Sequence, residues 1–106
     1  MSKISIITVT YNSAQTLEYT IQSVLLQDHP DVEYIVVDGQ STDDTLSVIR
    51  KYRHKIDHFV SEKDDGLYYA LNKGIELATG DIIGILHADD FYIDDHVLSK
   101  VSTTFE

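Results

Sequence analysis

Four groups of polar residues, Thr10-Tyr11-Asn12, Asp38-Gly39-Gln40-Ser41, Glu62-Lys63-Asp64-Asp65-Gly66 and His87-Ala88-Asp89-Asp90, each follow a short apolar run. The last group carries the most chemistry. Two adjacent carboxylates, Asp89 and Asp90, repel one another unless a cation neutralises them, and a hard divalent ion such as Mg²⁺ or Mn²⁺ is their natural partner. An isolated Asp-Asp more often starts a turn, but this pair sits at the mouth of an uninterrupted run, Ile82-Ile83-Gly84-Ile85-Leu86, which favours the ligand reading. Asp38 has two readings. It is an acceptor for a ligand's donors, each contact worth about 1.5–3 kcal/mol gross for a charged acceptor, or it is a turn residue or cap for the helix after Ser41. Tyr11 offers a flat face to a base or simply packs, and Asn12 or Ser13 is the expected N-cap of the helix that follows.

The elements that must hold these groups are legible in the pattern around them. Lys3 to Thr10, Val32 to Asp38, Ile56 to Ser61 and Asp81 to Ala88 read as strands. The first, second and fourth are apolar at adjacent positions (Ile6-Ile7, Ile35-Val36-Val37, Ile82-Ile83), as expected of strands covered on both faces. Helical periodicity fills the intervals. Leu17, Ile21, Val24 and Leu25 share a stripe over Ala14 to Gln27, ended by Pro30. Ser41 and Asp44 have the spacing of a capping box ahead of Leu46, Ile49 and Tyr52. Leu67, Leu71, Ile75 and Ala78 form a stripe over Leu67 to Thr79, with Gly80 expected as the C-terminal cap. A last helix starts after Asp94 or Asp95, with Val97, Leu98, Val101 and Phe105 facing inward. Alternating strands and helices of this length imply βαβ units, hence an α/β fold: a mainly parallel open sheet with helices on both faces. Ligands of such sheets bind outside the carboxyl ends of the strands, the edge on which all four polar groups fall.

Composition sets the limits. With 106 residues, 42% of them apolar, one compact domain is expected. Eight Lys and Arg stand against 18 Asp and Glu, a formal charge of −10, which argues against a nucleic-acid or anionic-membrane surface. An anionic ligand then needs local help from a metal, a helix N-terminus or backbone donors. The absence of cysteine excludes disulfides, thiolate catalysis and cysteine-ligated zinc, and is consistent with a reducing cytoplasm. There is no signal-peptide pattern and no transmembrane segment, for which about 20 apolar residues are needed.

In combination these residues resemble family 2 glycosyltransferases over Ile4 to about Tyr92. Ser5 to Asn12 is similar to that family's opening strand with its Thr-Tyr-Asn end, and Glu33 to Asp43 to its Val-Asp-Gly/Asp-x-Ser-x-Asp segment. Ser61 to Gly74 is similar to the subgroup pattern Ser-Glu-Pro-Asp-x-Gly-Ile-Tyr-Asp-Ala-Met-Asn-Lys-Gly, and His87-Ala88-Asp89-Asp90 to the family's variant of Asp-x-Asp. The chain departs from these patterns at Lys63 (usually proline), Tyr69 (usually aspartate) and His87 (usually an acid).

The resemblance implies a GT-A fold, of which residues 1–106 form the Rossmann-like, nucleotide-sugar-binding part, ending before the acceptor half. It implies an inverting transfer of a sugar from a nucleoside diphosphate sugar to a hydroxyl acceptor, a saccharide or lipid-linked saccharide, in polysaccharide or glycolipid biosynthesis. Thr10 and Tyr11 would line the base pocket, with Asp38 bonded to the base. Asp64 and Gly66 would form a loop near the phosphates or sugar, with Asn72 on the helix behind it. Asp89 and Asp90 would share the ribose and an Mg²⁺ or Mn²⁺ ion. The catalytic base would lie in the other half, so these residues alone would bind donor without transferring sugar. The resemblance further implies an unpaired edge at Asp81 to Leu86, prone to self-association, and a cytoplasmic protein peripheral to the inner face of the membrane. A receiver-like phosphoacceptor module would need an acid pair after strand one, where Thr10-Tyr11-Asn12 stands. A sugar nucleotidyltransferase would need a glycine-rich phosphate loop where Ala14-Gln15-Thr16 stands.

Overall fold

The computed structural model describes residues 2–63, 66–92 and 96–105, apart from the side chains of Leu67 and Phe105. Its elements follow in the order β1 (Ile4–Thr10), α1 (Ala14–Leu25), β2 (Val32–Asp38), α2 (Thr45–Tyr52), a 3-10 turn, β3 (His58–Ser61), α3 (Leu67–Leu77), β4 (Ile82–Ile85) and α4 (Val97–Phe105). The four strands form one sheet in the order β3-β2-β1-β4, and every pairing is parallel. The expected α/β architecture is present, with helices on both faces.

Register explains which residues meet which helix. Ile4 and Ile6 of β1 stand beside Tyr34 on β2 and Ile82 and Gly84 on β4. With Val36, this face packs against Leu17, Ile21 and Val24 of α1, Ile49 of α2 and Leu98 of α4. The alternate residues Ile7, Val9, Ile35 and Val37 form the second face, under Ala70, Leu71, Leu77 and Ala78 of α3. Every residue of β1 is buried, and so is all of β2 after Val32, as adjacent apolar positions predict for strands covered twice.

β4 departs from that expectation. Ile83 and Ile85, paired with Ser5 and Ile7, project on the α3 side, yet 44% and 45% of their surface is exposed. The reason is the seat of α3, which packs on β1 and β2. Its most buried positions are Ala70 and Gly74; Leu71 and Ala78 of the stripe read from the sequence pack beside them, whereas Ile75 is exposed. Gly74 lies so close to β1 that an added Cβ would stand 2.5 Å from a methyl of Ile7. Small residues thus set the contact, and the larger apolar ones are turned to the flank.

Gly80 is not the cap of α3. The helix ends at Leu77, and its cap residue, Ala78, is extended. Gly80 is required where the chain returns to β1, because a Cβ there would meet the Ser5 backbone nitrogen at 2.8 Å and the Lys3 carbonyl at 2.9 Å. Beside it Glu33, nearly buried, accepts hydrogen bonds from Ser5 Oγ (2.8 Å), Thr79 N (2.9 Å) and Thr79 Oγ1 (3.0 Å). Burial alone would raise its pKa, but these donors and the nearby Lys3 ammonium bring it down to about 2. This clamp ties β1, β2 and the α3–β4 turn together at the amino edge of the sheet, leaving the carboxyl edge to form the site.

Candidate functional site

Strand order locates the site. From β1 the chain moves outward to β2 and then β3; α3 then carries it back across the other face to β4, on the far side of β1. The gap between the ends of β1 and β4 is therefore the topological switch point, where open parallel sheets bind ligands. A cleft of about 420 Å³ lies there, walled by Thr10 and Tyr11 from β1, Gly66 and Ala70 from α3, and His87 and Asp89 from the segment after β4.

Three features of this cleft suit an anionic, hydrogen-bonding ligand. The Thr10 hydroxyl is buried, and among the described residues it is the one buried side-chain polar atom without a partner; such groups are normally satisfied. The chain enters helix α3 through Gly66 at φ +123°, so the positive end of the helix dipole lies at the cleft. Finally, Asp89 is exposed and forms part of the wall, whereas Asp90 does not. The amide of Asp90 bonds back to the His87 carbonyl (2.9 Å), closing a tight turn with Asp89 at its corner.

Asp38 is placed differently. It is fully buried and outside the cleft wall. Its carboxylate accepts hydrogen bonds from Ser41 N (2.9 Å), Ser41 Oγ and Ser61 Oγ (2.8 Å), which occupies three of the roughly four acceptor positions a carboxylate has. The Ser41–Asp44 capping box does not form, because the Ser41 hydroxyl is turned inward to Asp38 and accepts from Asn12 N (2.9 Å). Helix α2 is capped instead by Asp43 Oδ1, which accepts from Thr45 N (2.9 Å) and from the Thr45 hydroxyl. That hydroxyl contact is the main cause of the lowered Asp43 pKa.

Neither Asn12 nor Ser13 caps α1 through its side chain. Ser13 N donates to Thr45 Oγ1 (2.9 Å) and Ala14 N to Asp43 Oδ2 (3.4 Å), so the start of α1 is capped from the neighbouring loop. Asn12 itself is in the left-handed region at φ +48°, where asparagine is tolerated. Its Oδ1 accepts from Thr42 N (2.8 Å) and Asp43 N (3.3 Å). Asn12 thereby latches the end of β1 to the loop after β2.

Of the other residues singled out from sequence, Asp64, Asp94 and Asp95 lie outside the described residues; the last helix begins at Val97. Asn72 is exposed on α3. The His87–Asp90 turn has a support that sequence reasoning missed, the buried Thr20 of α1, whose hydroxyl meets the carbonyls of Ala88 (3.0 Å) and Asp90. A threonine inside the apolar stripe of Leu17, Ile21 and Val24 was the available signal.

The donor set fits a small divalent cation. Carboxylate oxygen is the hard ligand Mg²⁺ and Mn²⁺ prefer, and such ions are commonly held by one or two carboxylates plus substrate phosphates. Asp89 in the wall, with Asp90 beside it, meets that need. Among the described residues no group of three or more acidic, histidine or cysteine side chains could hold a metal by itself.

Comparisons with known proteins converge on one family. Glycosyl transferase family 2 matches residues 5–106. A glycosyltransferase of Bacillus subtilis named for teichuronic acid biosynthesis is 36% identical over 97% of this chain and 42% of its own length. A PGL/p-HBAD biosynthesis glycosyltransferase of Mycobacterium bovis is 35% identical over 92% of this chain and 40% of its own. Among solved structures, TarS of S. aureus in complex with UDP-GlcNAc superposes with a TM-score of 0.86 at 31% identity, covering 95% of this chain and 30% of that one. The mannosyltransferase PcManGT of Pyrobaculum calidifontis, in complex with GDP-Man and Mn²⁺, gives 0.87 at 30% identity, covering 95% and 31%. The chain thus spans well under half the length of the curated relatives it matches.

Proposed function

Because this chain belongs to glycosyl transferase family 2, we propose that it is the donor-binding part of an inverting enzyme that moves a sugar from a nucleoside diphosphate to a hydroxyl. The observation that carries this reading is the cleft at the switch point, where a buried hydroxyl without a partner among the described residues, the start of α3 and an exposed carboxylate converge. Thr10 and Tyr11 receive the base, and Asp38 sits behind them with a single acceptor position left for it. Gly66 and the start of α3 lie toward the diphosphate, and the family pattern assigns Asp64 to the same loop. Asp89 holds the divalent cation and the ribose, with Asp90 as its neighbour. Both structures named above were solved with a nucleoside diphosphate sugar, one with uridine and one with guanosine; for this chain uridine or thymidine is the reading. The acceptor is a saccharide or lipid-linked saccharide in the assembly of a polysaccharide or glycolipid.

In the transfer, the acceptor oxygen bonds to the anomeric carbon on the face opposite the diphosphate, whose bond to that carbon breaks. The acceptor's proton passes to a general base. A bound divalent cation would supply positive charge against the departing diphosphate, a contribution of several kcal/mol. The chain's own groups orient the donor: the Thr10 hydroxyl and Tyr11 ring at the base, the amides of α3 at the phosphates. The base and acceptor pocket belong to a further part of the same domain. Ile83 and Ile85, open on the α3 side, and the unpaired edge of β4 support that division; exposed alone, they invite self-association. No described helix is long and apolar enough to cross a membrane, and the enzyme is proposed to work at the inner membrane face from the cytoplasm.

Calorimetric titration with UDP, with Mn²⁺ and after chelation, tests the reading. Affinity should fall on chelation, and Asp89→Asn should cost at least tenfold, about 1.4 kcal/mol, in the presence of Mn²⁺. Affinity indifferent to both changes would remove Asp89 and the cation from the site.

A further inference from the structure

The turn that presents Asp89 has little support from the sheet. Its strand-side attachments are two amides, Leu86 N to the Ile7 carbonyl (2.9 Å) and Ala88 N to the Val9 carbonyl (3.3 Å). Beyond Ala88 the chain leaves β1, and its carbonyls turn toward α1. There a single side chain meets them. Thr20, 1% exposed, places its hydroxyl at 3.0 Å from the Ala88 carbonyl and within hydrogen-bond reach of the Asp90 carbonyl, on either side of Asp89. One turn further along α1, Ser23 Oγ accepts from Tyr92 N (3.1 Å) and donates to the Thr20 carbonyl (2.8 Å). Another turn on, Gln27 Oε1 accepts from Leu98 N (2.9 Å). Thr20 and Ser23 lie one turn apart on α1, and Gln27, just past its end, continues their polar line. It runs beside the apolar stripe that packs on the sheet.

We propose that Thr20 is the positioning residue of the cleft: by holding the carbonyls on both sides of Asp89 it fixes where that carboxylate stands relative to Thr10 and the start of α3. The inference rests on the donor-site reading given above and assigns to α1 a role that no residue in the cleft wall performs. A hydroxyl has one proton, so the Ala88 and Asp90 carbonyls share it, with the Thr16 carbonyl of its own helix a longer third acceptor at 3.5 Å, and the turn is held by a shared donor rather than by two independent bonds. Removing that donor frees both carbonyls together. The corner is then free to rotate about Ala88, while the base end of the cleft, built on β1, is untouched. Supporting groups of this kind, which touch a ligating side chain's backbone and not the ligand, typically change metal affinity or activity by roughly 10- to 100-fold when removed.

The test compares Thr20→Val, which keeps shape and loses the hydroxyl, with Thr20→Ser, which keeps the hydroxyl. Both are made in the full chain and titrated with UDP in Mn²⁺, UDP without metal, and uridine. Thr20→Val should lose roughly 10- to 100-fold in Mn²⁺-dependent UDP affinity with uridine affinity unchanged, and Thr20→Ser should restore most of the loss. If Thr20→Val does not fold, Ser23→Ala should shift the same metal-dependent term, by less, with uridine again unaffected. A Thr20→Val chain that keeps the wild-type metal response, loses UDP and uridine affinity in parallel, or is not rescued by serine overturns the assignment. A wild-type chain whose UDP affinity ignores Mn²⁺ overturns the donor-site reading itself, a result visible before any variant is made.

Discussion

Asp38 and Asp89 stand at the ends of the two strands that flank β1, one on each side, and their surroundings are opposite. Asp38 ends a fully covered strand and spends its oxygens on Ser41 and Ser61. Asp89 follows a strand with one open face and stands exposed in the cleft wall. The β2 side of the rim is closed by its own side chains: Asp43 caps both neighbouring helices and Asn12 holds the loop. On the β4 side the polar groups of the cleft are left over, Thr10 Oγ1 among them. A carboxylate at a strand end is thus a weak sign of ligand binding until its hydrogen bonds are counted.

The sharpest way to break this contrast is to remove each acid in turn. Asp38→Ala leaves three donors facing a buried gap. At about 1–3 kcal/mol for each buried unsatisfied group, partly recovered by hydroxyl rotation, it should cost roughly 3 kcal/mol of stability in urea unfolding. Asp89→Ala should stay within about 0.5 kcal/mol of wild type, as exposed substitutions do. Similar losses for the two would erase the distinction.

A second test uses pH at the closed side of the molecule, since an acid whose pKa differs between the folded and unfolded chain links protonation to folding. Glu33, at the amino edge, has its pKa lowered from 4.5 to about 2 in the folded chain. Its contribution to stability is therefore complete above about pH 4.5 and is lost as pH falls toward 2. Glu33→Gln should be less stable than wild type at neutral pH and should flatten the stability profile between those values. A variant with the same acid slope as wild type would show that the clamp does not act through its charge. The smallest effect is expected from the latch. Asn12→Gly keeps the left-handed backbone available and deletes the side-chain acceptor, so it should cost about 1 kcal/mol, whereas no change would mean that the backbone alone holds the two loops together.

The sequence made the sheet legible because short continuous apolar runs and helical stripes are strong, local signals. All four strands and the helices between them lie where the pattern puts them, though β3 and β4 are shorter than the runs that announced them, and the strand ends gather at one edge. What could not be read there depends on distant partners. Whether Ser41 pairs with Asp44 or with Asp38 is decided by the approach of Asn12 from another loop. Gly80 follows a helix closely enough to suggest a cap, but its role is set by β1 passing beneath it. The stripe of α3 was read correctly at Leu71 and Ala78, which pack on the core, but Ala70 and Gly74 permit a closer seat that leaves Ile75 exposed. Asp89 and Asp90, the acids proposed to hold the cation, were visible because two adjacent carboxylates are conspicuous in one dimension; the support from Thr20 was not, because its partners on the turn lie 68 and 70 residues away.

The placement of β1 has a consequence for synthesis. It is an interior strand, paired on one side with β2, which follows soon after it, and on the other with β4, which begins only at Ile82. A nascent chain that has made the β1–α1–β2 unit therefore carries an unpaired β1 edge until β4 emerges, an interval of seconds at about 5–20 residues per second. Open strand edges recruit other strands, and the same gap later forms the cleft. The ribosome thus exposes, for those seconds, the seam along which the finished protein is built to bind.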